Sequence, residues 1–237
     1  MTGHGPGAPL LKVCGATSAT DVALLAASGA DLVGLWHGVP GGHAELSLAD
    51  ITSPAAAARA AGIEPVLVTF GKDVEVLGTV LRLTGIRWVQ LHAYQLPGTV
   101  AALHAAMPGE LTVMKVLHVR SGTCVERPLV GAYERAGTDL FLLDTLTEDG
   151  RVGSTGRQLD AADALAVAEL THRPFLLAGG LSSDNRRDFD AVAAHPRYAG
   201  IDVDTAARGT DGRFTRAAVR GIARAWHTAR HSRNEVA

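Results

Sequence analysis

The stretch L-L-K-V-C-G-A-T-S-A-T-D-V-A-L-L-A-A-S-G-A-D-L-V-G-L-W (Leu10–Trp36) decides the fold. A short apolar run at Leu10–Val13 has the length of a buried strand. Asp21–Ser28 follows, rich in alanine and leucine with polar residues at helical spacing, and Asp31–Trp36 is a second apolar run. Strand, helix, strand in this order reads as a right-handed βαβ unit with parallel strands. The same alternation continues down the chain. Further strands are expected near Pro65–Thr69, Arg87–Leu91, Leu111–Leu117, Asp139–Leu143, Pro174–Ala178 and Gly200–Val203. Helices are expected over Ala55–Ala61, Thr99–Met107, Ala161–Leu170, Arg186–Ala194 and Arg216–Arg230, the last with Ala218, Ile222, Ala225 and Trp226 on one stripe. Eight repeats favour closure into a single α/β (β/α)8 TIM barrel over an open sheet. The least regular segment is His118–Thr138, where Gly122, Pro128 and Gly131 interrupt the helical pattern. The barrel is expected over residues 10–230, with tails at 1–9 and 231–237.

Composition agrees with one globular domain: 237 residues, 47% hydrophobic and 19% charged. A net charge of −2 gives no reason to expect nucleic acid or an anionic membrane as partner. No apolar run reaches the roughly 18 residues that span a bilayer. The opening M-T-G-H-G-P-G-A-P lacks the basic and apolar regions of a signal peptide. Two cysteines without a paired motif, Cys14 and Cys124, suit a reducing cytoplasm. A small-molecule substrate and a monomer or homodimer are expected.

In such barrels reactive groups sit just past the carboxyl ends of strands. That rule selects Cys14, His37, Phe70, His92, His118, Asp144, Gly179–Gly180, and Asp202 with Asp204. Lys12 and Cys14 share a strand face, so an ammonium beside the sulfur would favour the thiolate, a base or nucleophile. The plain alternative for Cys14 is a small buried residue. Asp144 follows the buried run F-L-L; a carboxyl at a water-poor mouth has a raised pKa and can act as general acid. Its alternative is a turn cap. Gln90 and His92 share a face, and His92 reads either as a substrate contact or as a histidine satisfied by backbone. Two glycine loops, G-S-T-G (Gly153, Thr155, Gly156) and A-G-G-L (Gly179, Gly180), could lend backbone N–H groups to a phosphate. The S-S-D-N at Ser182–Asn185 resembles a helix start whose dipole would add to that. Each glycine pair alone could equally be a turn. No metal-ligand spacing and no dinucleotide-binding glycine fingerprint is present, so neither metal nor cofactor is expected.

Taken together, K-V-C-G-A-T, D-L-V-G-L-W, V-Q-L-H, F-L-L-D followed by G-S-T-G, and L-L-A-G-G-L-S-S-D-N resemble, in order, motifs of phosphoribosylanthranilate isomerase. The resemblance runs from Lys12 to about Gly212. It implies an Amadori rearrangement, with Asp144 as the acid that opens the furanose and Cys14 as the base that removes the C2 proton. Asp202 would help hold the substrate amine.

Three departures stand out. The family's loop after strand two ends in an arginine that clasps the anthranilate carboxylate; here it is H-G-V-P-G-G-H-A-E-L, where only His43 could stand in. The family's D-V-S-S-G-V-E has become D-V-D-T-A-A-R. A carboxylate at Asp204 about 4 Å from a phosphate charge costs roughly 4 kcal/mol at an effective dielectric near 20, unless Arg208 neutralises it. L-H-G-E/D and G-K-D have become L-H-A-Y and G-R-F. These departures point to an isomerase with an altered aryl-amine N-glycoside substrate in a specialised biosynthetic pathway. The alternatives are the ordinary tryptophan-pathway enzyme, a repurposed barrel running another proton transfer or cyclisation on an unphosphorylated substrate, and a non-catalytic binding module.

Overall fold

The computed structural model describes residues 8–109, 111–120, 122–145 and 158–227. Among the described residues nine strands form, of which eight are parallel: β1 Leu10–Cys14, β2 Leu32–Trp36, β3 Glu64–Thr69, β4 Trp88–Leu91, β5 Thr112–Arg120, β7 Leu140–Thr145, β8 Phe175–Leu177 and β9 Tyr198–Val203. Their order is β4-β3-β2-β1-β9-β8-β7-β5, and β4 also pairs with β5, so the sheet closes into the expected (β/α)8 barrel. Helices α1 Ala19–Ala26, α2 Leu48–Ala61, α3 Val74–Thr84, α4 Pro97–Ala106, α5 Val130–Arg135, α6 Ala161–Ala168, α7 Asp190–Ala193 and α8 Arg216–His227 surround it.

Alternation along each strand sorts the side chains into two layers. Leu11, Val13, Val33, Leu35, Leu67 and Val89 point outward and pack under the helices. Leu32, Val66, Met114, Val116, Leu140, Leu142, Leu176 and Ala178 fill the barrel interior. Above them, at the carboxyl ends, the inward positions turn polar: Lys12, Gln90, His118, Asp144 and Asp202 are all buried. This change from aliphatic to ionisable side chains marks where the packed interior ends and the mouth begins.

The irregular segment after β5 is a hairpin. β5 runs three residues beyond the expected Leu117 and takes His118 into the strand. The two-residue β6 (Thr123–Cys124) then pairs antiparallel with it, with Gly122 at φ 74° in the turn. Pro128 lies in a 3₁₀ turn, whereas Gly131 sits inside α5 without breaking it. Arg186–Ala194 is a 3₁₀ turn over Arg186–Phe189 leading into the four-residue α7, shorter than the expected helix. On α8 the buried stripe is Val219, Ile222, Ala223 and Trp226, with Ala218 and Ala225 half-buried beside it.

Gly200 shows the tightest steric constraint on closure. Its φ is 145°, and a Cβ there would lie 2.0 Å from the Leu10 carbonyl oxygen across the β1–β9 seam. Gly200→Ala is therefore expected to destabilise the protein by about 3 kcal/mol, because strand backbone cannot yield as a side chain can. The thermal midpoint should fall by roughly 6–12 °C. A fall of less than about 3 °C would show the seam to be pliable.

Candidate active site at the barrel mouth

The thiol side of the mouth is built from β1, β2 and β9. Gly34 on β2 lies opposite Cys14, where a Cβ would stand 2.6 Å from the sulfur and 3.2 Å from Lys12 Nζ. Glycine here lets both side chains lean over the neighbouring strand. Lys12 donates to Asp202 Oδ2 at 2.7 Å and to Cys14 Sγ at 3.3 Å. Trp36, two residues past Gly34 on the same face, donates its indole N–H to Cys14 Sγ at 3.0 Å.

Burial pushes the Cys14 thiol up to about 12. Lys12 opposes this, Asp202 and Asp204 add to it, and the Trp36 N–H pulls back. The expected help from Lys12 is thus real but outweighed by desolvation, and the resting sulfur carries its proton. Desolvation also works against the Lys12 ammonium, but Asp202 and Cys14 together raise its pKa above the ordinary lysine value. Asp202 is raised, mainly by burial. Lys12 is wholly enclosed and acts on its two neighbours.

The loop expected to lack a carboxylate clasp braces Trp36 instead. Leu46 N–H donates to the Trp36 carbonyl at 2.9 Å, and the Glu45 carboxylate accepts from Gly38 and Val39, each at 2.9 Å. A Cβ on Gly42 would meet the Trp36 ring at 2.9 Å, and His43 stacks edge-on to it at 4.8 Å.

The carboxyl side comes from β4, β5 and β7. Asp144 is buried, and Oδ1 accepts from the Thr145 N–H at 2.8 Å. Burial raises its pKa to about 6; the positive field of His118 is the largest opposing influence, and Asp202 adds to the rise. His92 Nε2 lies 3.4 Å from Asp144 Oδ2 without an aligned hydrogen bond. Gln90 Nε2 sits 2.8 Å from His92 Nδ1, so an amide N–H donated there leaves the ring proton on Nε2, facing Asp144. Burial, then His118, Lys12 and Lys115, holds His92 well below the usual imidazole range, so it is neutral.

His118 is the direct cross-strand partner of Asp144. Glu126, folded back by the β5–β6 hairpin, accepts from its Nδ1 at 2.6 Å and from its backbone N–H at 2.8 Å. The rings of Phe70 against His92 and of Tyr94 against His118 close this flank at 5.5 and 5.2 Å.

At the rim, Asp204 is paired with Arg208 at 2.7 Å and with His43 at 3.3 Å, so its charge is compensated as the i,i+4 spacing allowed. Arg208 is itself engaged by the Gly15 and Gly212 carbonyls and stacks over Phe214 at 3.9 Å. Gly179 and Gly180 have φ of 94° and 66° at the end of β8. A Cβ on Gly179 would lie 2.2 Å from Thr145 Oγ1, so close packing against β7 also requires this glycine. Ser182–Asn185 is a turn closed by the Asn185 side chain on Gly180 O and Ser182 N, and only a 3₁₀ turn follows. The expected helix dipole is therefore absent at that position. Gly153, Thr155 and Gly156 lie outside the described residues.

The mouth thus gathers Lys12, Cys14, Gln90, His92, Asp144 and Asp202, with His43, Asp204 and Arg208 forming one cluster at its rim. Sequence reasoning missed two contributors. Trp36 was readable in principle, because it shares the inward parity of Gly34. Glu126 was not, since a hairpin within an irregular segment brings it back to His118. Among the described residues no group of three or more His, Cys, Asp or Glu could hold a metal ion, and no helix is long and apolar enough to cross a membrane.

A closed barrel with a thiol and a raised carboxyl at its C-terminal mouth is the architecture of an acid–base enzyme. The sequence model of N-(5'-phosphoribosyl)anthranilate isomerase matches residues 11–209. The isomerase of Halobacterium salinarum is 31% identical over 228 residues, covering 92% of this chain and 96% of the relative. Isomerase 2 of Methanosarcina mazei is 30% identical over 74% of this chain and 76% of its own length. Among solved structures, the Thermotoga maritima enzyme superposes with a TM-score of 0.71 at 24% identity, covering 90% of this chain and 96% of that one. A phosphoribosylanthranilate isomerase in complex with reduced 1-(o-carboxyphenylamino)-1-deoxyribulose 5-phosphate gives 0.70 at 21%, covering 91% and 97%. The chain belongs to the N-(5'-phosphoribosyl)anthranilate isomerase family, a family of isomerases.

Trp36→Phe tests the contact to sulfur, since it keeps the ring and removes the donor. A hydrogen bond to a charged group contributes about 1.5–3 kcal/mol, so the thiolate population should fall at least about tenfold. The rate of Cys14 alkylation by iodoacetamide at a fixed alkaline pH should fall with it, while Cys124 is unaffected. An unchanged or faster rate would show that the indole N–H does nothing for the sulfur.

Proposed function

We propose that the protein isomerises an N-linked pentofuranosylamine to the corresponding 1-amino-1-deoxyketose, with Asp144 as general acid and Cys14 as general base. The observation that carries this reading is the pairing of a thiol and a carboxyl at one mouth, both with shifted acidities and both within the field of the Lys12–Asp202 pair. Asp144 delivers its proton to the ring oxygen. The C1–O bond breaks as the nitrogen lone pair forms an iminium. Cys14 thiolate then takes the C2 proton, and the C–H pair becomes the C1–C2 double bond of an enaminol that tautomerises to the ketone.

The resting pair holds its single proton on the wrong partner. With acidities near 6 and near 12, neutral pH leaves Asp144 ionised and Cys14 protonated. The catalytic form is the reverse. Between about 6 and about 12 the pair carries one proton in total, so the catalytic fraction does not change with pH. Below about 6 both groups are protonated and thiolate falls about tenfold per pH unit. The expected kcat/KM profile has an acid limb near 6 and a flat alkaline side. A decline beginning just above neutrality would contradict the reverse arrangement. Cys14→Ala and Asp144→Asn should each lower kcat by about 10²–10⁴, and unchanged product formation in either would end the acid–base account.

The substrate is proposed to be an aryl-amine N-glycoside whose aglycone carboxylate, if present, is not clasped by an arginine, in keeping with a specialised biosynthetic pathway. Support comes from the loop Trp36–Leu46, whose hydrogen bonds brace Trp36 over the sulfur. An arginine–carboxylate contact contributes about 2 kcal/mol, or roughly thirtyfold. Phosphoribosylanthranilate and its analogue lacking the ring carboxylate should therefore have kcat/KM values within about threefold of each other. A hundredfold preference for the carboxylate would favour the second reading, the ordinary tryptophan-pathway enzyme. That reading draws support from the neutralised Asp204, which removes the repulsion against a substrate phosphate.

A further inference from the structure

His118 is a group at the mouth whose chemistry the acid and base above do not use. It is fully buried, and its Nε2 has no hydrogen-bond partner among the described residues. Leaving such an atom dry is unfavourable in the resting protein, so a bound group that satisfies it recovers that cost. Parity with Met114 and Val116 turns the side chain inward, and the β5–β7 register sets it beside Asp144.

Its hydrogen bonding is fixed by Glu126. Burial would raise that carboxyl, but the hydrogen bond and charge of His118, with Lys115, bring it below the ordinary value. Glu126 is therefore a carboxylate, an acceptor only, and the 2.6 Å contact requires the hydrogen on His118 Nδ1. The charge that lowers Glu126 and Asp144 belongs to the imidazolium form of His118; in the neutral form, with Nδ1 still donating to Glu126, Nε2 is an acceptor, whereas Nε2 of the adjacent His92 is a donor. The two rings stand 5.9 Å apart, edge to face. One donor and one acceptor at this separation fit a hydroxyl, which both gives and takes a hydrogen bond. Two equal donors would fit a carboxylate.

We propose that His118, oriented by Glu126, binds the C2 hydroxyl of the substrate and completes the proton cycle that Asp144 and Cys14 begin. The inference rests on the isomerase reading above. After the first two steps Asp144 is a carboxylate, Cys14 is a thiol, and the substrate is an enaminol with O–H on C2. His118 Nε2 takes that hydroxyl proton, and the O–H pair becomes the second bond of C2=O. The C1–C2 double-bond pair takes the proton from Cys14, which forms the new C1–H bond and restores the thiolate. The His118 imidazolium passes its Nε2 proton to Asp144. Every group returns to its starting state, and no proton is drawn from outside the mouth. The charged and titratable groups facing His118 are Glu126 from the hairpin, Asp144 from β7, and His92 and Tyr94 from the end of β4.

The test has a part that needs no substrate. Nitrogen-15 NMR of the imidazole rings should show His118 protonated at Nδ1 and bare at Nε2 at the working pH. An Nε2–H tautomer, or a ring protonated on both nitrogens, overturns the proposal and leaves the isomerase reading intact. The kinetic part uses C2-deuterated phosphoribosylanthranilate. His118→Gln should still break the C2–D bond in a first-turnover burst that accumulates the enaminol, while steady-state kcat falls about a hundredfold. Glu126→Gln, which keeps the hairpin contact but frees the tautomer, should show the same split more weakly. Loss of the burst together with kcat, or an unchanged kcat in His118→Gln, would exclude a role after C2 proton removal. If the wild-type protein never breaks the C2–D bond, the isomerase reading falls and this proposal falls with it.

Discussion

The buried contact between Lys12 and Asp202, 2.7 Å long and closed to solvent, is the interaction on which the mouth depends. It spans the seam where the last strand meets the first, at the register pair Lys12–Asp202. Two ions withdrawn from water this far lose several kcal/mol each in hydration, and their attraction recovers that only when other hydrogen bonds share the load. Cys14 Sγ supplies one of these on the lysine side. The second carboxylate oxygen of Asp202 has no partner among the described residues. The pair also acts on both reacting groups: Lys12 draws the thiol down and Asp202 raises Asp144. Replacing it with a hydrophobic pair of equal volume would relieve the desolvation and unlink the two halves of the site.

Regularity decided how much could be read in advance. The barrel was legible because each strand repeats one pattern and because β/α alternation admits few topologies. Lys12, Cys14, Asp144 and Asp202 were legible because strand parity and the carboxyl-end rule are local properties of the chain. The acidity of Cys14 was not. A lysine two residues away argues for a thiolate, but only the packed neighbourhood shows that desolvation exceeds that attraction. Glu126 was hidden for a related reason, since it reaches His118 by a hairpin whose glycine and proline read as mere interruption. The stretch Ser182–Asn185 misled in the opposite direction. Its side chains do make the contacts of a cap, but they close a turn on Gly180 in place of a long helix.

The β2 loop shows why a missing residue is a poor guide to what replaces it. Without its arginine, H-G-V-P-G-G-H-A-E-L reads as a lost substrate grip. In the folded chain its hydrogen bonds and glycines serve Trp36, which in turn serves the sulfur. Arg208 does not inherit the vacant clasp, since its guanidinium is already engaged by Asp204, Gly15 and Gly212. On the proposed reading, recognition of the aglycone falls on shape and on aromatic surface: Trp36, Phe70 and Tyr94 lie at the mouth on that side, and Tyr94 is the most exposed of them. A hydrophobic pocket of this kind discriminates between aryl groups by only about 1–3 kcal/mol per methylene, so it accepts related aglycones more readily than a charged clasp would.

A mouth this dry must account for its own protons. The same burial that lifts Asp144 to about 6 and Cys14 to about 12 limits the water that could reprotonate a spent acid. In the proposed reaction sugar opening consumes a proton at one residue and C2 deprotonation deposits one at another, so a closed site needs a path between them or must open at every turnover. The β5–β7 register places an imidazole beside the carboxyl, and Glu126 leaves that ring's inner nitrogen bare. The burial that makes the two reactive groups poor in their resting states thereby also confines the proton they exchange. Raised pKa values and an enclosed relay follow from the same cause, the withdrawal of the strand ends from solvent.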